Sequence, residues 1–127
     1  MSTSKNEVTV EFLEAFADAW NRHNIDDLMS FMTEDCVFEA SGGDAQTGTR
    51  YEGMQAVRAG YAKAWADYPD ARWNDATHFV QGNRGCSEWT LTATRPDGTR
   101  MEVDGCDLFT FVDGKIRVKA SYLKNRQ

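Results

Sequence analysis

The sequence predicts an α+β fold in which helices pack on a curved antiparallel sheet. In the first half of the chain, apolar residues recur at intervals of three and four, the period of an amphipathic helix. From about residue 72, apolar and polar residues alternate, and Pro96-Asp97-Gly98 and Asp113-Gly114 mark tight turns between strands. Helices followed by strands are typical of an α+β domain, and a sheet that bends around its helices encloses a conical cavity.

The helical segments follow from spacing and from capping residues. A first helix is expected over 8–22, because its aromatic residues fall on one face. His23-Asn24 ends this helix, since asparagine tolerates a left-handed conformation. Asp26 is expected to cap a short second helix that contains the apolar residues of 28–32. A third helix is expected over 54–67, ending before Pro69.

The other segments are expected to be strands joined by turns. Residues 41–50 are rich in glycine and small polar residues and are predicted to form a loop. In the last strand, Ile116, Val118, Ala120 and Tyr122 are expected to share one face. The predicted strands are 36–40, 72–81, 86–94, 100–112 and 115–123. The whole chain, 1–127, is expected to form one domain, with frayed tails at 1–6 and 124–127.

Composition excludes several classes of function. The 20 acidic residues outnumber the 14 basic ones, which argues against a nucleic-acid binder. No apolar stretch is long enough to span a membrane, and the polar N-terminus does not resemble a signal peptide, so a cytoplasmic protein is expected. The 3 cysteines and 2 histidines have no zinc-site spacing. We therefore expect no metal and no cofactor.

One strand carries an unusual inward carboxylate. In the segment 101–111, the alternate residues from Met101 to Phe111 are apolar except for a glycine and Asp107. A carboxylate that faces an apolar interior is costly unless it is paired, hydrogen-bonded or protonated. Such a group is either a satisfied structural aspartate or part of a functional pocket, and perturbed groups of this kind concentrate at functional sites.

Five phrases spread over nearly the whole chain carry a family resemblance. They are FADAWNRHNIDDL (16–28), FMTEDCVFEA (31–40), YEGMQAVRAGY (51–61), EWTLTAT (88–94) and GCDLFTFVDGKI (105–116). In this order and spacing they resemble the nuclear-transport-factor-2-like superfamily, and within it the SnoaL-like polyketide cyclases and ketosteroid-isomerase-like proteins. The resemblance implies a cystatin-like α+β roll, whose cone-shaped sheet wraps around three N-terminal helices.

The same resemblance implies a ligand and a partner. The expected ligand is a small hydrophobic molecule in a pocket between the helices and the concave sheet. The expected partner is a second copy, in a homodimer built on the outer face of the sheet, where Leu108 and Val118 would lie. Because one fold of this kind hosts many functions, the resemblance alone does not give the reaction.

Ketosteroid isomerases provide the most detailed comparison of site residues. Their protonated aspartate in an Asp-x-Phe phrase, which donates to the substrate oxyanion, corresponds to Asp107. Their second donor, a tyrosine on the first helix, is replaced here by Phe16, and their general-base aspartate by Ala40. Glu39 is adjacent but points to the other face of the strand, whereas the pocket tyrosine of the third helix is matched by Tyr61. Without the base and the second donor, steroid isomerisation is not expected.

Two other branches of the superfamily need different residues at this site. Limonene-epoxide-hydrolase-like members use an arginine two residues before the aspartate, and that position is Gly105 here. Lys119 or Arg117 could substitute only if one of them faces the pocket, which the sequence leaves open. SnoaL-like cyclases rely on one principal aspartate as general acid or base, so Asp107 alone meets their requirement.

We therefore predict cofactor-independent isomerase, cyclase or lyase chemistry on a small hydrophobic carbonyl compound, with Asp107 as proton donor or shuttle. Tyr61, His78 or the substrate itself is expected to be its partner. A non-catalytic ligand-binding or dimerisation module of the same fold is the alternative. The residues expected to line the substrate pocket are Tyr61, Phe16, Trp20, Trp65, His78, Trp89 and Phe109.

Overall fold

The computed structural model describes residues 7–125. Within this part of the chain, three helices precede and interrupt six strands. The helices are α1 (Val10–Asn21), α2 (Ile25–Met29) and α3 (Met54–Asp67). The strands are β1 (Met32–Glu39), β2 (Arg50–Glu52), β3 (Arg72–Gln81), β4 (Arg84–Thr94), β5 (Arg100–Val112) and β6 (Lys115–Leu123). The predicted tail at 1–6 and the last two residues of the tail at 124–127 lie outside the described part.

All six strands form one curved, open sheet in the order β2-β1-β6-β5-β4-β3. Every neighbouring pair is antiparallel except β1 and β6, which are parallel. α1 packs against β3 and α3 against β1, so the helices cover the concave face. The predicted α+β class is confirmed. No helix within 7–125 has both the length and the apolar character that crossing a membrane requires.

The start and end of α1 differ slightly from the prediction. The helix begins at Val10, because the Thr9 side chain accepts a hydrogen bond from the Phe12 backbone N–H and caps it. Its exit uses His23, whose φ of 53° is left-handed, where the sequence had suggested Asn24. Asn24 is instead extended and caps α2 through the backbone N–H of Asp27.

The predicted second helix was therefore wrong at both ends. Its cap is Asn24, and Asp26 lies inside the first turn. The helix stops at Met29, since the Phe31 carbonyl accepts a hydrogen bond from the Ile116 N–H at 2.9 Å and Met32 pairs with β6. This long-range pairing outweighs the helical spacing of the apolar residues, as tertiary contacts often do.

Two strand features were not expected. Residues 50–52, assigned to the loop and its exit, form β2 and pair with the end of β1. A bulge in β6 also changes its register: Phe111 pairs with Ile116 but Thr110 pairs with Val118, so Arg117 is an extra residue. The prediction that Ile116 and Val118 share one face was therefore wrong. Beyond the bulge, Lys119 turns to the concave face and is buried.

Candidate functional site

A cavity of about 380 Å³ lies between the helices and the concave face of the sheet. Apolar side chains, many of them aromatic, form most of its wall, whereas exposed residues such as Ser41, Lys63 and Asp67 border its outer end. The loop 41–49 is fixed beside this opening by backbone hydrogen bonds, among them Thr49 N–H to the Gly42 carbonyl at 2.8 Å. A small, mostly apolar molecule fits a cavity of this size and composition.

Asp107 lies at the inner end of this cavity and is only 6% exposed. Its Oδ1 accepts a hydrogen bond from the Ser121 hydroxyl at 2.6 Å and lies 3.2 Å from the Lys119 ammonium. Its Oδ2 accepts a hydrogen bond from the Trp89 indole N–H at 3.1 Å. The cost of burying this carboxylate is thus offset by an ion pair and by two hydrogen bonds.

Strand pairing explains why these groups meet. Asp107 on β5 is directly opposite Ser121 on β6 and Ser87 on β4. Directly paired residues on one face of a sheet have neighbouring side chains. Lys119 lies two residues before Ser121 on the same face, and its ammonium donates to the Ser121 hydroxyl at 2.8 Å. We call Asp107, Lys119 and Ser121 the polar cluster.

Lys119 is 4% exposed and lines the cavity together with Asp107. Its ammonium lies 4.5 Å from the ring centroid of Phe38, 4.9 Å from that of Trp20 and 5.3 Å from that of Tyr61. Aromatic faces at these distances attract a cation. Burial nevertheless lowers the pKa of Lys119 from its usual 10.5, with Asp107 acting in the opposite direction.

The polar cluster can hold or move a proton. Lys119 and Asp107 are joined both directly and through the Ser121 hydroxyl, and a hydroxyl can donate and accept at once. A carboxylate, an amine and a hydroxyl in an apolar cavity are suited to general acid–base catalysis. Their electrostatic effect on a ligand is larger there than in water, because the local dielectric is low.

Gly105 explains the position of Trp89. A Cβ at residue 105 would lie 2.4 Å from the Tyr122 carbonyl oxygen and 2.6 Å from Cζ3 of Trp89, so no side chain fits. The indole occupies the space next to this glycine and directs its N–H to Asp107. The position that carries an arginine in the epoxide-hydrolase-like branch thus makes room here for a second hydrogen-bond donor.

The cavity brings together some of the residues predicted to form the pocket. Asp107, Phe16, Trp20, Trp89 and Phe109 all line it. Phe16 packs edge-on against Phe109 at 5.9 Å between ring centroids, and the indole of Trp73 contacts those of Trp20 and Trp89.

Tyr61, Trp65 and His78 are not among the cavity-lining residues. The Tyr61 hydroxyl contacts the Met32 sulfur at 3.6 Å, and burial raises the pKa of Tyr61 well above its ordinary value of 10. The indole of Trp65 stacks on the His23 ring at 5.0 Å between centroids.

His78 approaches Asp107 only through an intermediate residue. Its Nδ1 lies 2.7 Å from the Ser87 hydroxyl, which lines the cavity and pairs with Asp107 across the strands. Burial lowers the pKa of His78 from 6.5. The imidazole therefore lies on the same face of the sheet as Asp107, but on the far side of Ser87 and outside the cavity lining.

Ala40 and Phe16 both line the cavity, at the positions where isomerases carry a base and a donor. Glu39 does not replace that base, because it lies 3.8 Å from Arg50 and outside the lining. The sequence named Lys119 as a substitute whose facing it left open, and it did not identify Ser121 as a functional candidate. Their signal was a pair of alternating polar residues in an apolar strand, but the bulge that turns them inward cannot be read from the sequence.

Solved structures agree with this fold. A candidate polyketide cyclase from Pseudomonas putida KT2440 is 19% identical, with a TM-score of 0.80 over 93% of this chain and 92% of that one. An NTF2-like protein of unknown function from Mesorhizobium loti is 29% identical, with a TM-score of 0.76 over 98% of both chains. TerC, co-crystallised with polyporic acid, is 20% identical, with a TM-score of 0.77 over 91% of this chain and 90% of that one.

Sequence comparison gives a complementary result. No protein of curated function matches this chain by sequence. The family model of the SnoaL-like domain matches residues 13–118, a range that includes α2, α3 and β1–β5 in full and Asp107. The chain therefore belongs to the SnoaL-like domain family, as the sequence phrases had predicted.

Proposed function

We propose that this protein binds a small hydrophobic carbonyl compound and catalyses a cofactor-independent isomerisation, cyclisation or lyase step by moving a proton. The observation that carries this proposal is the buried ion pair of Asp107 and Lys119 at the inner end of an apolar cavity. A buried ion pair stabilises a fold little more than apolar residues of equal volume do. We therefore expect this pair to have a role other than stability.

Each member of the polar cluster has a role in the proposed step. The Asp107 carboxylate takes a proton from the carbon next to the ligand carbonyl and returns it at a second atom, acting as a shuttle. The Lys119 ammonium and the Ser121 hydroxyl stabilise the negative charge that develops on the ligand oxygen. Lys119 and Ser121 thus replace the donor that is missing at Phe16, Asp107 replaces the base that is missing at Ala40, and the aromatic side chains limit the access of water.

The structural neighbours support the ligand class. TerC was crystallised with polyporic acid, a small organic molecule, and the Pseudomonas protein is named for polyketide cyclisation. In this chain, a polar cluster without net charge lies in an apolar cavity, and this combination suits a similar ligand. The acidic residues at the surface, which give a net charge of −6, disfavour polyanionic ligands.

The experiment begins with a panel of hydrophobic ketones and diketones in a thermal-shift screen, because any ligand of the folded state raises the melting temperature. Compounds that bind are then followed by chromatography and mass spectrometry for consumption. Asp107→Asn should lower turnover about 10²- to 10⁴-fold. The matched control is Asp104→Asn on the opposite face of the same strand, where the carboxylate accepts from the Thr90 hydroxyl. Full activity of Asp107→Asn would refute the mechanism.

A second candidate function is binding without reaction. It is favoured by the hydrogen bonds of Asp107, whose two oxygens are already engaged by Ser121, Lys119 and Trp89. A carboxylate held in this way could serve only to fix the cavity. In that case a ligand would raise the melting temperature of the protein and be recovered unchanged, and Asp107→Asn would alter affinity alone.

We also propose that the chain forms a homodimer through the outer face of the sheet. The outer face of the sheet exposes Phe79 by 59% and Tyr122 by 54%, with Leu108 and Val118 half-buried beside them. Apolar side chains that lie together on an exposed surface often mark a protein–protein interface. A second copy of the chain covering this face would remove them from solvent.

A further inference from the structure

We infer that Lys119 is a nucleophile in addition to a charged group, and that its amine forms a reversible imine with a carbonyl compound held in the cavity. The inference rests on the proposed function, because it needs the same class of ligand in the same cavity. It goes beyond that function by assigning a covalent intermediate, in which Lys119 forms the bond to the ligand and Asp107 transfers the protons.

The position of the Lys119 amine supports this assignment. Lys119 is buried and lines the inner end of the cavity, so its nitrogen is accessible to a ligand there but shielded from bulk water. The other lysines that the structure describes, Lys63, Lys115 and Lys124, are exposed. Lys63 also borders the cavity, at its outer end, but its ammonium is paired with Asp67 at 2.6 Å in contact with solvent. Lys119 is thus chemically distinct from the remaining described lysines.

The Lys119 amine is also surrounded on every side by groups that favour a nucleophilic role. It faces Trp20 from α1, Tyr61 from α3, Phe38 from β1, Asp107 from β5 and Ser121 from its own strand. Asp107 is the charged group among these contacts. Burial lowers the pKa of Lys119, which increases the fraction of neutral, nucleophilic amine near neutral pH.

The pair of Lys119 and Asp107 supplies the protons that imine formation needs. Lys119 passes one proton to Asp107, and the neutral amine attacks the carbonyl carbon, forming a C–N bond. The carbonyl oxygen takes up a proton from the amine, and the resulting hydroxyl leaves as water with the proton that Asp107 holds. The products are a protonated imine beside the Asp107 carboxylate and one water, so charge and atoms balance without an added reagent.

The aromatic rings around the Lys119 ammonium also suit the imine. The protonated imine places its positive charge where the ammonium was, 4.5 Å from the Phe38 ring centroid and 4.9 Å from that of Trp20. The cation–π attraction that holds the ammonium therefore also stabilises the intermediate. The ion pair with Asp107 is kept. The imine also makes the C–H on the adjacent carbon more acidic, and the proton of that C–H is the one that Asp107 is proposed to move.

The test uses 1-phenyl-1,3-butanedione, an apolar 1,3-diketone whose imine with an amine rearranges to an enaminone with a new ultraviolet absorption band. Wild-type protein should develop this band to one equivalent per chain, at a rate that increases with pH as the amine loses its proton. Intact mass should increase by the diketone less one water. Lys115→Arg, at an exposed lysine outside the cavity lining, should behave like the wild type.

Lys119→Arg keeps a positive charge beside Asp107, which protects the fold, but its guanidinium cannot form the imine. Neither the band nor the mass increase should appear. Binding is measured separately, by the shift in melting temperature. If the diketone binds but gives no adduct, or if Lys119→Arg is labelled to the same extent, the inference is wrong while the proposed function stands. If the diketone neither binds nor reacts, both fail.

Discussion

Replacing Lys119 by methionine should remove a large part of the stability of the fold. The side chain keeps nearly the same length, but Asp107, which is 6% exposed, loses its counter-ion. At a separation of 3.2 Å and an effective dielectric constant of about 20, the lost Coulomb attraction is about 5 kcal/mol. Removing one partner of a buried ion pair typically costs about 3–5 kcal/mol. We therefore expect the free energy of unfolding at pH 7 to fall by about 3–5 kcal/mol.

The measurement is urea-induced unfolding followed by circular dichroism, with the double variant Asp107→Asn/Lys119→Met as the matched comparison. Because the double variant leaves no uncompensated charge, it should recover most of the loss.

Two results would refute this reasoning. A loss below about 1 kcal/mol, the size typical of exposed ion pairs, would mean that the interaction is screened by water and not buried. A double variant less stable than the single one would mean that Asp107 is stabilised by Ser121 and Trp89 alone and does not need the lysine. In either case the ion pair could not carry the proposed chemistry.

Three further variants test other parts of the structure. Ser121→Ala, which leaves Asp107 and Lys119 without their shared hydroxyl, should lower the free energy of unfolding by about 1–3 kcal/mol in urea, whereas Ser121→Thr should keep most of it. Burial lowers the pKa of His78, so the protein should lose stability as the pH falls below 6.5 toward that lowered value. His78→Gln should therefore flatten the acid side of a plot of melting temperature against pH. An unchanged slope would contradict this. Tyr122→Lys should convert a dimer to a monomer in light scattering, and a wild-type monomer would exclude the proposed interface.

The parts of the fold that the sequence predicted are those set by local chemistry. Asp113-Gly114 was expected to turn tightly, and both residues adopt positive φ, 52° and 77°, which the favoured hairpin turn requires. The inward position of Asp107 followed from strict alternation in β5, a long strand paired on both sides without a break near that residue.

The parts that the sequence did not predict depend on pairing between distant residues. The end of α2 is set by Ile116, more than eighty positions away along the chain, because its N–H bonds to Phe31. The position of Lys119 depends on the extra residue in β6, which a regular alternation cannot reveal. The polar cluster was therefore identified in part: Asp107 was predicted, Lys119 was named with its facing left open, and Ser121 was not identified without the register.

The bulge in β6 also affects how relatives should be compared with this chain. Arg117 is the residue that shifts the strand by one position, so Ile116 and Lys119 both face inward although they are three apart. In a relative without this extra residue, an alignment counted forward from Ile116 would assign the wrong side chains to the cavity. Equivalence on this strand is better established from the residue opposite Asp107, which is Ser121 here. Differences in cavity chemistry among family members can then arise from a single insertion or deletion, without any substitution.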